Sequence, residues 1–327
     1  MIGRVLLPVL LWLLATGAAH PSAFRAAAPR VELTRSGNHV DVRIEERPFT
    51  TYYFDPSVAK PYLSPLRSAR GTVVTRGFPM TPSAGEDQDE PHQRAMYFAH
   101  GDINGFDFWG EAAFPKWSDH AASTFGRTVF RTLDIPGGAD GGSLRATFDL
   151  AAATGTIAEE VQTYRFGGDE RSRLIDCEFA IRATRGPIVI GDTKEGTFAI
   201  RVVKALDSPP GHMVNANGAI GEKAIWGKRS TWVDYYGRVA GEDVGLAIFD
   251  HPDNLRAPTY WHARAYGLLA ANPFGLKQFT GDRHQDGKQA IPTGGSLVFR
   301  YRVFIHSGNP VQADVAEAYR QFAAQQP

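Results

Sequence analysis

A single cysteine, Cys177, rules out any disulfide within the chain, so no bridge framework holds the fold together. Neither sign of charge is in surplus, because 35 Lys and Arg face 35 Asp and Glu. Nucleic acid, which is held mainly through surplus positive charge, is therefore not expected as a partner. Past the first 19 residues, no apolar run approaches the roughly 20 residues that a spanning helix needs. The chain also lacks a P-loop, a dinucleotide-binding glycine fingerprint, a Gly-x-Ser-x-Gly elbow, a His-Glu-x-x-His helix and a Cys-x-x-Cys pair. No cofactor is read from its motifs. A divalent metal is compatible with His92, His100 and a carboxylate, since imidazole and oxygen ligands suit Zn, Mn or Fe.

The start of the chain carries an address. Arg4 precedes an apolar run from Val5 to Ala15, and small residues follow to Ala19. This is the pattern of a secretory signal peptide over residues 1–19, cleaved after Ala19. The competing reading is a membrane anchor, but the run is too short to span and Pro8 interrupts it. The expectation is an exported chain, periplasmic or extracellular, with no stable membrane insertion. Residues 20–327 show no Pro/Ser linker and no repeat of solenoid or propeller period, and so read as one domain.

What is present is a period of two. Val40-Asp41-Val42-Arg43-Ile44 alternates apolar and polar, as do 128–133 and 144–148 on either side of a Gly-rich loop at 136–142. Further strands are expected at 157–166, 173–184, 197–206, 244–250, 259–270 and 297–306. Within 173–184, Ile175, Cys177, Phe179 and Ile181 share one face, which makes Cys177 a core residue. The fold class is all-β and mainly antiparallel, a large sandwich, with the loop-rich stretch 48–127 lying over one face. One helix is expected at the C-terminus, capped by Asn309 with Pro310 in its first turn and Val311, Val315, Ala318, Tyr319 and Phe322 on its apolar side.

Polar and aromatic residues crowd three segments. In 87–109, His92, Arg94, His100, Asp102, Asn104, Asp107 and Trp109 stand among glycines. Glycine lets a backbone approach a ligand, and aromatics beside carboxylates suit a sugar's apolar face and hydroxyl edges. The plainer reading is a packed loop whose polar groups bond the backbone. The second segment holds Asp250 and His251, then Tyr260, His262, Arg264 and Tyr266, which project from one face of the strand expected there. The third, 226–237, holds Lys228 among Trp and Tyr. Glu195 ends a strand and is set at the rim, where a plain surface role competes. His92, His100 and His262 are the acid/base candidates, with Asp107 and Glu195 to orient them. Arg94 and Arg264 are suited to a carboxylate, a carbonyl oxygen or a developing oxyanion.

In order along the chain, Lys60-Pro61-Tyr62-Leu63-Ser64-Pro65-Leu66, Pro91-His92-Gln93-Arg94, Ala99 to Trp109, Trp226-Gly227-Lys228-Arg229, Trp232 to Tyr235, Asp250-His251-Pro252, Trp261 to Gly267 and Asn272-Pro273-Phe274-Gly275 resemble a bacterial family labelled PmoA, or methane oxygenase PmoA. The resemblance covers most of the chain past the leader. It implies an exported β-sandwich similar in style to the galactose-mutarotase-like supersandwiches, and adds Asn272 to the site. A methane monooxygenase subunit crosses the membrane several times and this chain has no such segment, so the label does not transfer as an activity. The family pattern at 89–94 is Asp-His-Pro-His-His-Arg, whereas here Glu90 and Gln93 replace two histidines. Gln93 cannot exchange protons at neutral pH.

Two functions fit. One is an enzyme acting on a carbohydrate or sugar-derived small molecule by acid/base chemistry, whether hydrolysis, elimination or epimerisation. The other is a non-catalytic glycan-binding module of the cell envelope, with a structural envelope role behind both. The leader reading has a direct check. N-terminal sequencing of the exported chain should begin His20-Pro21-Ser22, and recovery of chain that keeps Met1 outside the cytoplasm would refute it.

Overall fold

The computed structural model describes residues 30–114, 124–137 and 142–325. The leader expected at 1–19 and part of the Gly-rich loop lie outside the described residues. Two eight-stranded sheets make the body. The first runs, in spatial order, β1 (Val31–Ser36), β2 (His39–Ile44), β3 (Arg47–Tyr53), β4 (Tyr62–Leu63), β5 (Met96–His100), β11 (Gly196–Arg201), β16 (Leu268–Asn272) and β15 (Tyr260–Ala263). The second runs β12 (His212–Asn215), β13 (Trp232–Val239), β14 (Glu242–Asp250), β18 (Ser296–Ser307), β9 (Ser172–Arg182), β8 (Gly155–Gly168), β7 (Ser143–Ala152) and β6 (Arg127–Asp134). A small ribbon pairs β10 (Ile188–Ile190) with β17 (Gln289–Ile291). Neighbouring strands in both sheets pair antiparallel. The fold is an all-β sandwich.

Alternation explains which faces meet. On β9, Ile175, Cys177, Phe179 and Ile181 are buried between the sheets while Asp176, Glu178 and Arg182 face outward, half-buried. On β5, Met96 and Phe98 point inward, and Phe98 stacks on Phe179 of the other sheet at 4.2 Å. Phe198 of β11 stacks on Tyr301 of β18 at 4.9 Å. Each such ring, taken out of water, stabilises the sandwich by roughly 2–3 kcal/mol.

Three expectations change. The strand expected over 259–270 is a hairpin, β15 and β16, joined by the turn Arg264-Ala265-Tyr266-Gly267. Gly267 closes it at φ 89, a conformation that favours glycine, and Arg264 N–H donates to the Leu268 carbonyl at 2.8 Å. The C-terminal helix, α1 (Val315–Ala323), starts later than the Asn309 cap implies. The Asn309 side chain accepts from the N–H groups of Val311 and Gln312, which caps a separate turn, and Val311 is 87% exposed. Val315 and Phe322 are buried against the second sheet beside Phe249, and Tyr319 also packs there. Finally, the stretch 48–127 supplies β4, β5 and most of β3 to the first sheet rather than only covering it.

One polar network is sealed in the core. Gln162 donates to Glu160 at 2.6 Å and accepts from the hydroxyls of Tyr52 and Tyr164 at 2.8 and 2.9 Å. Burial pushes Glu160 up to about 7, against the pull of the Gln162 bond. The folded state therefore holds a proton that the unfolded chain releases near 4.3. Stability is greatest below that pH and falls as pH rises through about 7. Between pH 5 and pH 8, urea unfolding should show the native chain losing about 2–3 kcal/mol more than Glu160→Gln. Equal losses would mean that Glu160 titrates normally.

Candidate functional site

The outward face of the first sheet carries a continuous row across six strands. Tyr53, Tyr62, Tyr97, Ala199, Ala270 and His262 are successive cross-strand partners. The two alanines leave a low floor between the Tyr97 and His262 walls, whose backbones stand three strand spacings, about 14 Å, apart. Ala99 and Thr197, paired in the next row, extend the floor. All these floor residues are at most 3% exposed, so the face is roofed rather than open to solvent.

Buried charge fixes the Tyr97 side. Glu111 receives Arg94 through both oxygens, at 3.0 and 2.8 Å, and Lys60 at 3.2 Å. Lys60, wholly buried, also donates to the Trp109 carbonyl at 2.6 Å and lies over the Tyr97 ring at 5.2 Å. Trp109 is thereby pressed against Tyr97 at 5.0 Å and beside His92 at 6.4 Å. A second charged group borders it. Arg76 and Arg201 share Asp89, at 2.9 and 3.2 Å, and Arg201 donates to Gln93 Oε1 at 2.6 Å. The Tyr266 ring sits beneath Arg201 at 4.4 Å.

The His262 side is set by the loop before β11. His262 Nδ1 lies 3.0 Å from the Lys194 carbonyl, so its proton belongs on Nδ1 and Nε2 is left as an acceptor. Asn272 holds the same loop by donating to the Thr193 carbonyl at 3.0 Å. Trp226 packs edge-on at 6.5 Å from His262. Burial, then the charges of Lys194 and Arg264, pushes His262 down to about 3. Burial, then Lys60, does the same to His92. Both imidazoles are neutral at pH 7. Glu90, half-buried at 3.5 Å from His92, is raised by burial and then by the charges of Asp89 and Glu195.

Six uncharged buried polar atoms around this floor have no hydrogen-bond partner within the protein, Tyr97 Oη, Thr197 Oγ1, Trp109 Nε1, Trp226 Nε1, His92 Nδ1 and His262 Nε2, and neither do the Nε atoms of Arg76, Arg201 and Arg264. Such atoms in folded proteins bond a ligand or water, because leaving one unmet costs about 1–3 kcal/mol.

The structure brings together His92, His262, Trp109, Glu195 and Tyr266 of the expected set. Arg94 and Asn272 are also here, but as supports committed to Glu111 and to the loop. His100 is not here. It lies two residues after Phe98 on β5 and shares its inward face, so it points between the sheets, bonding the Gly191 carbonyl at 2.9 Å and touching Phe274. Asp107 accepts from the N–H groups of Trp109 and Gly110, and Asp102 from Gly105, which shapes the loop. Asn104 accepts from Val189 N–H and anchors the loop to β10. Arg264 lies in the hairpin turn and pairs with Glu222 at 3.0 Å, so it does not extend a strand face with Tyr266. Lys228 is exposed in a turn. Asp250 ends β14 of the second sheet, where it accepts from Asn254 and Thr259, and His251 just past it lies against Phe322. Among the described residues, no three His, Cys, Asp or Glu side chains converge on a metal position.

Sequence reasoning missed Glu111, Arg76, Arg201, Tyr97 and Thr197 as parts of the site. Thr197 lay in an expected strand, whereas Tyr97 lay in a segment read as a loop. A period of two would have put Tyr97 and Ala99 on the face opposite His100, which was the available signal. Glu111 carried none, because its two partners lie 17 and 51 residues away.

Residues 39–320 match a family described as a family of unknown function, DUF6807, and the chain belongs to it. That description carries neither a PmoA label nor an activity. No curated protein matches the chain. Among solved structures, a galactose mutarotase-like protein from Clostridium acetobutylicum aligns at 8% identity and TM-score 0.40, covering 86% of this chain and 99% of that one. An alpha-galactosidase from Lactobacillus brevis aligns at 8% identity and TM-score 0.41, covering 91% of this chain and 43% of that one. A galactose mutarotase-like protein from Lactobacillus casei aligns at 8% identity and TM-score 0.36, covering 85% and 100%. No helix among the described residues is long and apolar enough to cross a membrane.

The buried charges give a stability test. Glu111→Gln leaves Lys60 and Arg94 facing each other without a carboxylate, and should cost about 3–5 kcal/mol in urea unfolding. A loss below about 1 kcal/mol, the value for an exposed pair, would show that Glu111 does not hold this wall.

Proposed function

We propose that this DUF6807 protein acts on a hydroxylated, sugar-like small molecule held on the outward face of its first sheet, with Glu90 moving the proton. The observation that carries the reading is the ring of six buried polar atoms without protein partners, grouped around an alanine floor. A marginally stable fold keeps that many unmet groups only where something else meets them. Indole and hydroxyl groups beside small apolar residues suit a ring with apolar faces and hydroxyl edges. The residues that carry the PmoA resemblance and reach this face are Lys60, Tyr62, His92, Arg94, Trp109, Trp226 and His262, so kinship with that family is part of the reading. Export of the chain belongs to the same proposal.

The roles follow from charge state. His262, neutral, offers Nε2 as an acceptor to a substrate hydroxyl. Glu90 keeps its proton to higher pH than an ordinary glutamate, which suits a general acid at the edge of a desolvated face. Hydrolysis, elimination and epimerisation all use such an acid with a facing acceptor. A second reading is favoured by one observation. With His92 and His262 both near 3, neither imidazole cycles a proton at neutral pH, as suits a binding module.

Glu90→Gln separates the two. On the enzyme reading, turnover falls by about 10²–10⁴-fold while ligand affinity changes little. Wild-type rate should also fall as pH rises through the raised Glu90 value, because the acid form is then lost. Calorimetric binding across a panel of sugars and glycosides, with no turnover of any of them by the wild-type protein, would leave the binding module.

A further inference from the structure

Each wall of the floor carries an indole beside an imidazole. Trp226 stands edge-on to His262 with ring centres 6.5 Å apart, and Trp109 stands beside His92 at 6.4 Å. Phe279 packs against both Trp226 and His262 and holds that pair in place. Lys60, through the Trp109 carbonyl, holds the other. In each pair, one nitrogen of each ring is buried without a hydrogen-bond partner in the protein: Trp226 Nε1 with His262 Nε2, and Trp109 Nε1 with His92 Nδ1. The indole nitrogens only donate. His262 gives its proton to the Lys194 carbonyl through Nδ1, so its Nε2 only accepts. His92 Nε2 lies 3.5 Å from Glu90. With that carboxylate ionised, Nε2 carries the ring proton and Nδ1 is left to accept. Each wall thus sets one donor and one acceptor side by side.

We infer that each pair reads one free hydroxyl of the ligand, which accepts from the indole and donates to the imidazole, and that the ligands are rings with such hydroxyls at two opposite edges. This rests on the sugar reading above and names the groups that the site recognises. A hydroxyl oxygen both accepts and donates, which is what each pair asks of a single atom. A carbonyl or ether oxygen meets the indole and leaves the imidazole nitrogen unmet. An ammonium does the reverse. A C–H meets neither, and it displaces water that could meet both. Tyr97 Oη and Thr197 Oγ1 can donate or accept, so they set no such demand. Trp109 packs on the Tyr97 side of the floor and Trp226 on the His262 side, which puts the two hydroxyls at opposite edges of one bound ring. The demand concerns hydroxyl positions and leaves the ligand's charge open. Arg76 and Arg201 each keep an unmet Nε–H, so acidic sugars belong to the class as well as neutral ones.

The test is calorimetry on the full chain, on the alkaline side of neutrality, with the methyl pyranosides of D-glucose and D-galactose and with D-glucuronate and D-galacturonate. The monodeoxy series of each parent that binds is then titrated, one ring position at a time. The expected result is two positions at which loss of the hydroxyl weakens binding by about tenfold or more. Trp226→Phe, which removes the N–H and keeps a ring, should weaken the parent by up to about tenfold. It should also shrink the penalty at one of the two positions and leave the second unchanged. His262→Gln should act on the same position as Trp226→Phe, so either variant assigns the pair if the other fails to fold. Binding with fewer than two sensitive positions overturns this inference and leaves the sugar reading standing. So does a variant that shrinks the penalty at neither position, or at both alike. Binding by none of the parents sinks both.

Discussion

Glu111 is the residue on which the candidate site hangs. Two cations, Lys60 and Arg94, lie almost wholly out of water on one side of the first sheet, and a single carboxylate pairs with both. A pair of buried cations without it would face the desolvation cost and their mutual repulsion together. With Glu111 in place, Lys60 has a donor left for the Trp109 carbonyl. The indole is thereby fixed against Tyr97, and one wall of the site takes its shape. Arg94 meanwhile lies over Tyr62, the neighbour of Tyr97 in the cross-strand row. Charge pairing, aromatic packing and site geometry are one arrangement seen at three levels.

The opposite wall is built by a different device. His262 is held through Nδ1 by a backbone carbonyl, and Asn272 fixes the loop that supplies it. Burial keeps the imidazole uncharged, and the backbone contact through Nδ1 leaves its second nitrogen unspent. The floor depends on small side chains. Ala199 and Ala270 sit between Tyr97 and His262 in the cross-strand row and keep the floor between them low. Gln93 has a related job. It stands at a position where the PmoA pattern has histidine, and here its carbonyl oxygen receives Arg201. It positions a guanidinium and carries no proton.

Much of the fold was legible because it obeys local rules. The alternation at 173–182 named both faces of β9 correctly, with Cys177 in the core, because burial on one side of a strand imposes a period of two. The turn 264–267 broke the same rule. Tyr260, His262, Arg264 and Tyr266 keep the spacing of a strand face, but Gly267 turns the chain, so the last two lie in the turn and Tyr266 reaches the face from there. His100 failed for the complementary reason. Its segment looked like a loop, so its membership of β5, and hence its inward direction, went unread. Asn309 is a sound cap, but of a turn ahead of the helix rather than of the helix itself.

By itself the sequence determined the class of the molecule: an all-β sandwich with polar and aromatic clusters and one apolar-faced helix at its end. Those are properties of periods, caps and composition, which act over a few residues. Only the tertiary structure decided which clusters share a face. Glu111 meets Lys60 across 51 residues, Arg201 meets Gln93 across 108, and His262 meets Ala199 through Ala270. Strand order fixes such meetings, and no local pattern encodes the order in which antiparallel strands lie side by side. The same holds for charge. Arginines and histidines that read as free catalytic groups are paired or neutral, because burial and their distant neighbours set their state.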